Sequence, residues 1–177
     1  MKFRFSSLLA FVALAACAVP PPTEPETASI PQTTQPQPVR PALVQPSGSW
    51  IDWPITPGDW VYRQDARGSI ALFGQAGADA LVTLRCDRQR GRIYLARSSS
   101  QQGANFNLRS SARLKQLTAR TTAGTKPYVA AEIMPNDPIM DALAYSRGRI
   151  ALETTGELSL ALPVWSEIGR IVEDCRR

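Results

Sequence analysis

From Asp59 onward, apolar and polar side chains alternate with a period of two over most of the chain. Ile70 and Leu72 alternate with Ala71 and Phe73, and Val82, Leu84 and Cys86 with Thr83 and Arg85. Ile93 and Leu95 alternate with Tyr94 and Ala96, and Phe106 and Leu108 with Asn105, Asn107 and Arg109. Successive residues of an extended strand point to opposite faces, so each run predicts a short strand with one buried face. Turn-forming stretches at 74–77 and 87–91 separate these runs; a first strand is expected over Asp59 to Asp65 and further ones over 114–121 and 128–134. Short strands at this spacing predict a mainly β (α+β) fold, an antiparallel β meander closing as a sandwich or small barrel.

The period changes twice near the end. Asp137-Pro138 reads as an N-cap with proline in the first turn; Ile139, Met140, Leu143 and Ala144 then form one apolar face, and Gly148 is placed to close the helix. A hairpin follows, with Ile150, Leu152 and Thr154 running up to Gly156-Glu157 and Leu158, Leu160 and Leu162 running back to Pro163. Ser166 is placed to cap a C-terminal helix, in which Ile168, Ile171, Val172 and Cys175 recur at the i, i+3, i+4, i+7 spacing of a buried stripe. Ahead of the first strand, "WIDWPITPGDWVY" carries Trp50, Trp53 and Trp60. Exposed tryptophans would make a ligand platform, but tryptophan is highly buried on average, so core packing is expected.

The N-terminal pattern is of another kind. Lys2 and Arg4 precede an apolar run from Leu8 that ends by Val19, a span of 12 residues. That is short of the ~20 residues needed to cross a bilayer as a helix, and it has the layout of a secretory signal peptide. The run closes on Leu14-Ala15-Ala16-Cys17, which resembles the lipobox of bacterial lipoproteins. The resemblance implies cleavage before Cys17, a diacylglycerol on its thiol and acylation of the new amine. Two or more chains, at ~0.8 kcal/mol per buried CH₂, anchor a protein stably. Ala18 is not the aspartate that commonly retains such proteins in the inner membrane, so the resemblance also implies an outer-membrane destination.

From Ala18 to Ser47 the chain holds nine of its 15 prolines, with threonine and glutamine between them. Such a segment favours polyproline geometry at ~3.1 Å per residue, a stalk of up to about 90 Å. The expected organisation is a signal peptide over 1–16, a lipidated cysteine and Pro-rich linker over 17–47, and a β-rich globular domain over 48–177.

Charge narrows the partners. Removing Lys2 and Arg4 with the leader leaves 18 basic residues against 15 acidic ones, a formal +3. This is too mild a balance for a nucleic-acid partner, whose footprint is a clustered basic face. The densest cluster is "RCDRQRGR", with Arg85, Arg88, Arg90 and Arg92 around one turn and Arg97 beyond it. Such a turn either contacts phosphates or an acidic envelope partner through its guanidinium forks, or is simply a solvated hairpin tip.

With Cys17 lipidated, Cys86 and Cys175 remain, an even number in an oxidising compartment. Both fall on predicted apolar faces, which favours a disulfide pinning the last helix to the sheet. A nucleophilic Cys175 would want a nearby base, and the chain has no histidine. That absence also removes the Ser-His-Asp triad, the Cys-His pair and the commonest zinc ligand, and no P-loop or dinucleotide glycine motif is present, so neither a cofactor nor a metal is indicated. Carboxylates remain as an acid and base, Asp137 with Asp141 or Glu153 with Glu157, although a helix cap and surface charges account for the same spacings. A histidine-independent carboxylate hydrolase acting on an envelope polymer is therefore the alternative to a non-enzymatic binding or assembly module.

Over the domain, "WPITPGDWVY", "IALFG", "LVTLRCD", "SRGRIALE" and "VWSEIGRIVEDCR" resemble a set of uncharacterised lipoproteins of Gram-negative bacteria. A fainter likeness is to the invasion-associated locus B proteins, also secreted β-rich domains. Neither resemblance implies a specific activity.

Overall fold

A computed structural model describes residues 44–177. The leader, Cys17 and the linker up to residue 43 lie outside the described residues.

Nine antiparallel strands form one curled sheet: β1 (Asp59–Asp65), β2 (Gly68–Gly74), β3 (Val82–Asp87), β4 (Arg92–Ser98), β5 (Ala104–Arg109), β6 (Leu114–Thr121), β7 (Tyr128–Ile133), β8 (Arg149–Thr154) and β9 (Leu160–Pro163). Helices α1 (Pro138–Ala144) and α2 (Ser166–Arg176) complete the fold. The mainly β class, the mid-chain helix and the C-terminal helix are those expected from the alternation.

The spatial order is β1-β2-β3-β4-β7-β6-β5-β8-β9. The meander runs unbroken through β4, then β5 to β7 return in reverse order and β8 and β9 extend the far side. Strand β6 joins the two halves. Its residues Leu114 to Ala119 pair with β5, while Arg120 and Thr121 pair with Ala130 and Val129 of β7. The curl brings the far edge back towards β1: the Trp60 indole N–H donates to the Pro163 carbonyl at 2.9 Å, and Thr56 exchanges two hydrogen bonds with Ala161 of β9. The Gln45 side-chain amide bonds the Ser159 backbone and hydroxyl.

Inside the curl lies one core. Phe73, Val82, Leu84, Ile93, Phe106 and Leu152 fill it from the strands, Met140 and Leu143 from α1, and Ile168, Ile171 and Val172 from α2. Trp53 and Trp60 are buried, as expected of core tryptophans, Trp50 is half-buried against the cluster of Trp53, Ala151 and Ala161, and Trp165 is exposed. In β2 the inward residues are Ser69, Ala71 and Phe73, and Ile70 and Leu72 take the outer face.

Both helix ends depart from the simple reading. Asp137 caps α1 as expected, its Oδ1 accepting the Ile139 N–H at 3.0 Å. The helix stops at Ala144, with the Tyr145 N–H on the Asp141 carbonyl, and Gly148 instead turns the chain into β8 at φ +74°. Ser166 is the first helical residue of α2, not its cap. The N-cap position is Trp165, which makes no side-chain cap bond.

The expected disulfide is present. Cys86 of β3 and Cys175 of α2 are bonded, with Cα atoms 5.3 Å apart across a sequence separation of 89. Nearby, Asp174 accepts the Tyr62 hydroxyl at 2.6 Å, and the Arg170 guanidinium lies 3.9 Å from the Tyr62 ring centre. The C-terminal helix is thus fastened to β1 and β3 by covalent, polar and cation–π contacts besides its apolar stripe.

Candidate functional site

Where the inner face of the sheet is closed by core and helices, the outer face of β2, β3, β4, β7 and the end of β6 is open. Register aligns two rows across it. One runs Val61, Leu72, Thr83, Ala96, Ala130, Arg120; the next runs Arg63, Ile70, Arg85, Tyr94, Glu132. The centre of the first row is small, so a groove of about 780 Å³ forms over Thr83, Ala96 and Ala130. Arg67, Arg85, Arg90 and Tyr94 wall one side of it; Thr118 and the segment from Arg120 to Ala123 wall the other.

Two cross-braced turns set the first wall. In the β1–β2 turn, Asp65 Oδ1 accepts the Arg67 N–H at 3.0 Å, and in the β3–β4 turn, Asp87 Oδ1 accepts the Arg90 N–H at 3.2 Å. Each aspartate also grips an arginine from the other turn's strand pair: Arg85 to Asp65 at 2.8 Å and Arg67 to Asp87 at 2.6 Å. The Arg85 hydrogen bond holds the Asp65 carboxyl below its ordinary value, and the Arg67 hydrogen bond does the same for Asp87. Gly68 makes this packing possible. Its φ is +141°, and a Cβ there would lie 2.5 Å from the Cys86 carbonyl oxygen.

The arginines of the predicted cluster separate into four environments. Arg85 and Arg90 enter the groove. Arg92 bonds Glu132 at 2.7 Å at the groove's end, so it orders a lining carboxylate without lining the groove itself. Arg88 points away, 3.8 Å from Asp174 on α2. Arg97 is not a surface group: it lies on the inner face, 5% exposed, donating to Thr154 Oγ1 at 3.1 Å and to the Leu158 carbonyl. Burial pulls its guanidinium down to about 10, with Glu157 opposing the shift. Arg97 therefore ties β4 to the β8–β9 turn.

Two cations of the groove, Arg67 and Arg120, lie outside the predicted cluster. Neither Arg90 nor Arg120 has a carboxylate partner among the described residues. Tyr94, then Asp87 and Glu132, favour the charged form of Arg90 and raise it further. The net character is basic, with threonine hydroxyls and one carboxylate among the cations.

The carboxylates proposed for acid–base work are engaged elsewhere. Asp137 pairs with Lys115 at 2.5 Å, and Asp141 pairs with Arg176 at 2.8 Å. Burial alone would raise Asp137, but the bonds from Lys115 and the Ile139 N–H bring it below its ordinary value. Asp141 is lowered chiefly by Arg176. Glu153 bonds Arg109, and Glu157 accepts the Ser99 hydroxyl at 2.6 Å. Asp137 and Asp141, held ionised by these cations, are poorly suited to donate a proton near neutrality. Among the described residues, no three histidine, cysteine or acidic side chains gather as metal ligands, and no helix is long and apolar enough to cross a membrane.

Comparison of the chain with family models, with curated proteins and with solved structures gives no match.

Proposed function

We propose that this chain is a lipid-tethered envelope protein whose domain is a non-enzymatic binding module, with the arginine-lined outer face as its contact surface. The observation that carries the binding reading is the groove over Thr83, Ala96 and Ala130, walled by four arginines and open to solvent. A hydrolase is the poorer fit, because the paired aspartates of α1 hold separate cations instead of converging on one cleft. The tether reading is supported by the sequence Leu14 to Cys17 and the proline-rich stretch after it. Together these give a module anchored in the outer membrane, standing in the periplasm on a stalk, and engaging an acidic envelope component or protein.

The test of the tether is metabolic. Cells expressing the full chain and supplied with labelled palmitate should yield labelled protein in the outer-membrane fraction, and Cys17→Ser should abolish the label. A mature N-terminus other than residue 17, or label retained in Cys17→Ser, overturns this reading.

A further inference from the structure

The groove's chemistry narrows its ligand, and the step rests on the reading of that face as a binding surface. The two arginines without carboxylate partners, Arg90 and Arg120, belong to opposite walls. Arg120 of β6 is level with Ala130 and Ala96, two strand steps from β4, whereas Arg90 lies in the β3–β4 turn, beyond Arg92 and so more than four residues further along. At ~4.8 Å per strand and ~3.3 Å per residue their backbones stand roughly 16 Å apart. A ligand that meets each guanidinium at its own wall carries at least two anionic groups on an extended frame.

The lining decides what that frame is made of. Thr83, Thr118 and Thr121 offer hydroxyls that donate and accept, Thr122, whose hydroxyl donates to the Tyr128 carbonyl, offers an acceptor, and Glu132, ordered by Arg92, offers a carboxylate that only accepts. A single-stranded nucleic acid would find only Tyr94 in this lining for base stacking, where single-strand binders use successive aromatics. A sugar chain fits better: its hydroxyls donate to Glu132 and exchange bonds with the threonines, and its ring lies over the alanine floor beside Tyr94. We infer that the groove takes an acidic oligosaccharide, with carboxylate or phosphate groups spaced to reach Arg90 at one wall and Arg120 at the other.

The probe is an oligogalacturonate of defined length, titrated by calorimetry into the purified full chain at low salt. Maltoheptaose, a single-stranded oligonucleotide and phosphatidylglycerol vesicles serve as comparisons. The oligogalacturonate should bind, monomeric galacturonate at equal carboxylate concentration should bind far more weakly, and maltoheptaose should not bind. Arg90→Ala and Arg120→Ala should each weaken binding by about tenfold, the loss of one charge-assisted contact. Arg63→Ala, on the same face but outside the groove, should leave it in place. Because neither groove arginine is held by an ion pair, unchanged unfolding midpoints will show that these variants fold. Equal binding of the neutral glycan, full binding by the Arg90/Arg120 double variant, or stronger binding to oligonucleotide or vesicles overturns the inference. Purified cell-wall sacculi and lipopolysaccharide, assayed in the same way, separate the two envelope sources of acidic saccharide. A photo-crosslinker at Thr83 in intact cells separates failures: a specific protein crosslink with no glycan binding sinks the saccharide but keeps the binding surface, whereas neither signal sinks both.

Discussion

The two faces of β3 and β4 are made from the same strands and do opposite work. Inward, Val82, Leu84, Cys86, Ile93 and Leu95 are buried against helices and the far sheet, and each is constrained by its neighbours' volume. Outward, Thr83, Arg85, Tyr94 and Ala96 face a groove and are constrained by no core. Differences inside therefore read as packing, while outside they read as surface chemistry. The comparison can be broken by substituting neighbours in one strand. Phe73→Ala removes a fully buried ring and should cost about 3–5 kcal/mol, whereas the adjacent outward Leu72→Ala should cost about 1 kcal/mol or less. Similar shifts in urea unfolding for the two would mean that the outer face is also packed, as when another chain covers it.

The disulfide belongs wholly to the inner side, and it comes next in size. Reducing Cys86–Cys175, or replacing both residues with alanine, should lower stability by about 2–5 kcal/mol, read from denaturant midpoints with and without reductant. The outward groove lies on the other face of β3, so the reduced protein should keep its ligand affinity wherever it remains folded. A large loss of affinity on reduction would show that the two faces are coupled.

How much of this was legible beforehand follows the same division. Alternation with period two and the i, i+3, i+4 stripe both depend on which residues the core excludes from water, so the nine strands and both helices could be read from the chain. The two cysteines were legible for the same reason, since both sit at inward positions. The groove was not, because it is a product of register. Arg120, Ala130 and Glu132 reach Arg85 and Tyr94 only because β4 pairs with β7 across the skipped strands β5 and β6. Local clustering in "RCDRQRGR" therefore located one wall and mixed it with Arg88, which faces α2, and Arg92, which binds Glu132. Arg97 carried a usable signal: it shares parity with Ile93 and Leu95, which marks it as inward despite its charge. Arg120 carried a weaker one, since its neighbour Ala119 is inward and the parity of β6 turns the arginine out.

Acid sharpens the comparison at the turns that brace the groove wall. The Asp87 carboxyl is held below its ordinary value of 3.8 by the Arg67 hydrogen bond, with the Arg90 N–H adding to it. A depressed folded value means the contribution to stability is complete above 3.8 and is lost as pH falls through the folded value. Stability should thus drop with acid below the ordinary carboxylate range, and Asp87→Asn should flatten that drop while lowering stability at neutral pH. Midpoints from urea titrations across acid pH provide the check. An Asp87→Asn protein with the wild-type acid slope would show that this carboxylate is not the one responsible.

The smallest expected effect on stability bears most directly on the groove. Alanine is a poor strand former, and at outward positions 96 and 130 it adds little to the core, so packing does not explain its presence at paired sites on two strands. What alanine does there is keep the floor low. Ala96→Val and Ala130→Val should each change stability by about 0.5 kcal/mol or less, with the β-branched side chain favouring the strand if either does. The same substitutions fill the floor and should weaken oligogalacturonate binding while leaving every arginine in place. Charge alone would survive them and shape would not, so undiminished affinity in the double valine variant would reduce the groove to a basic surface and leave the two alanines without a physical reason.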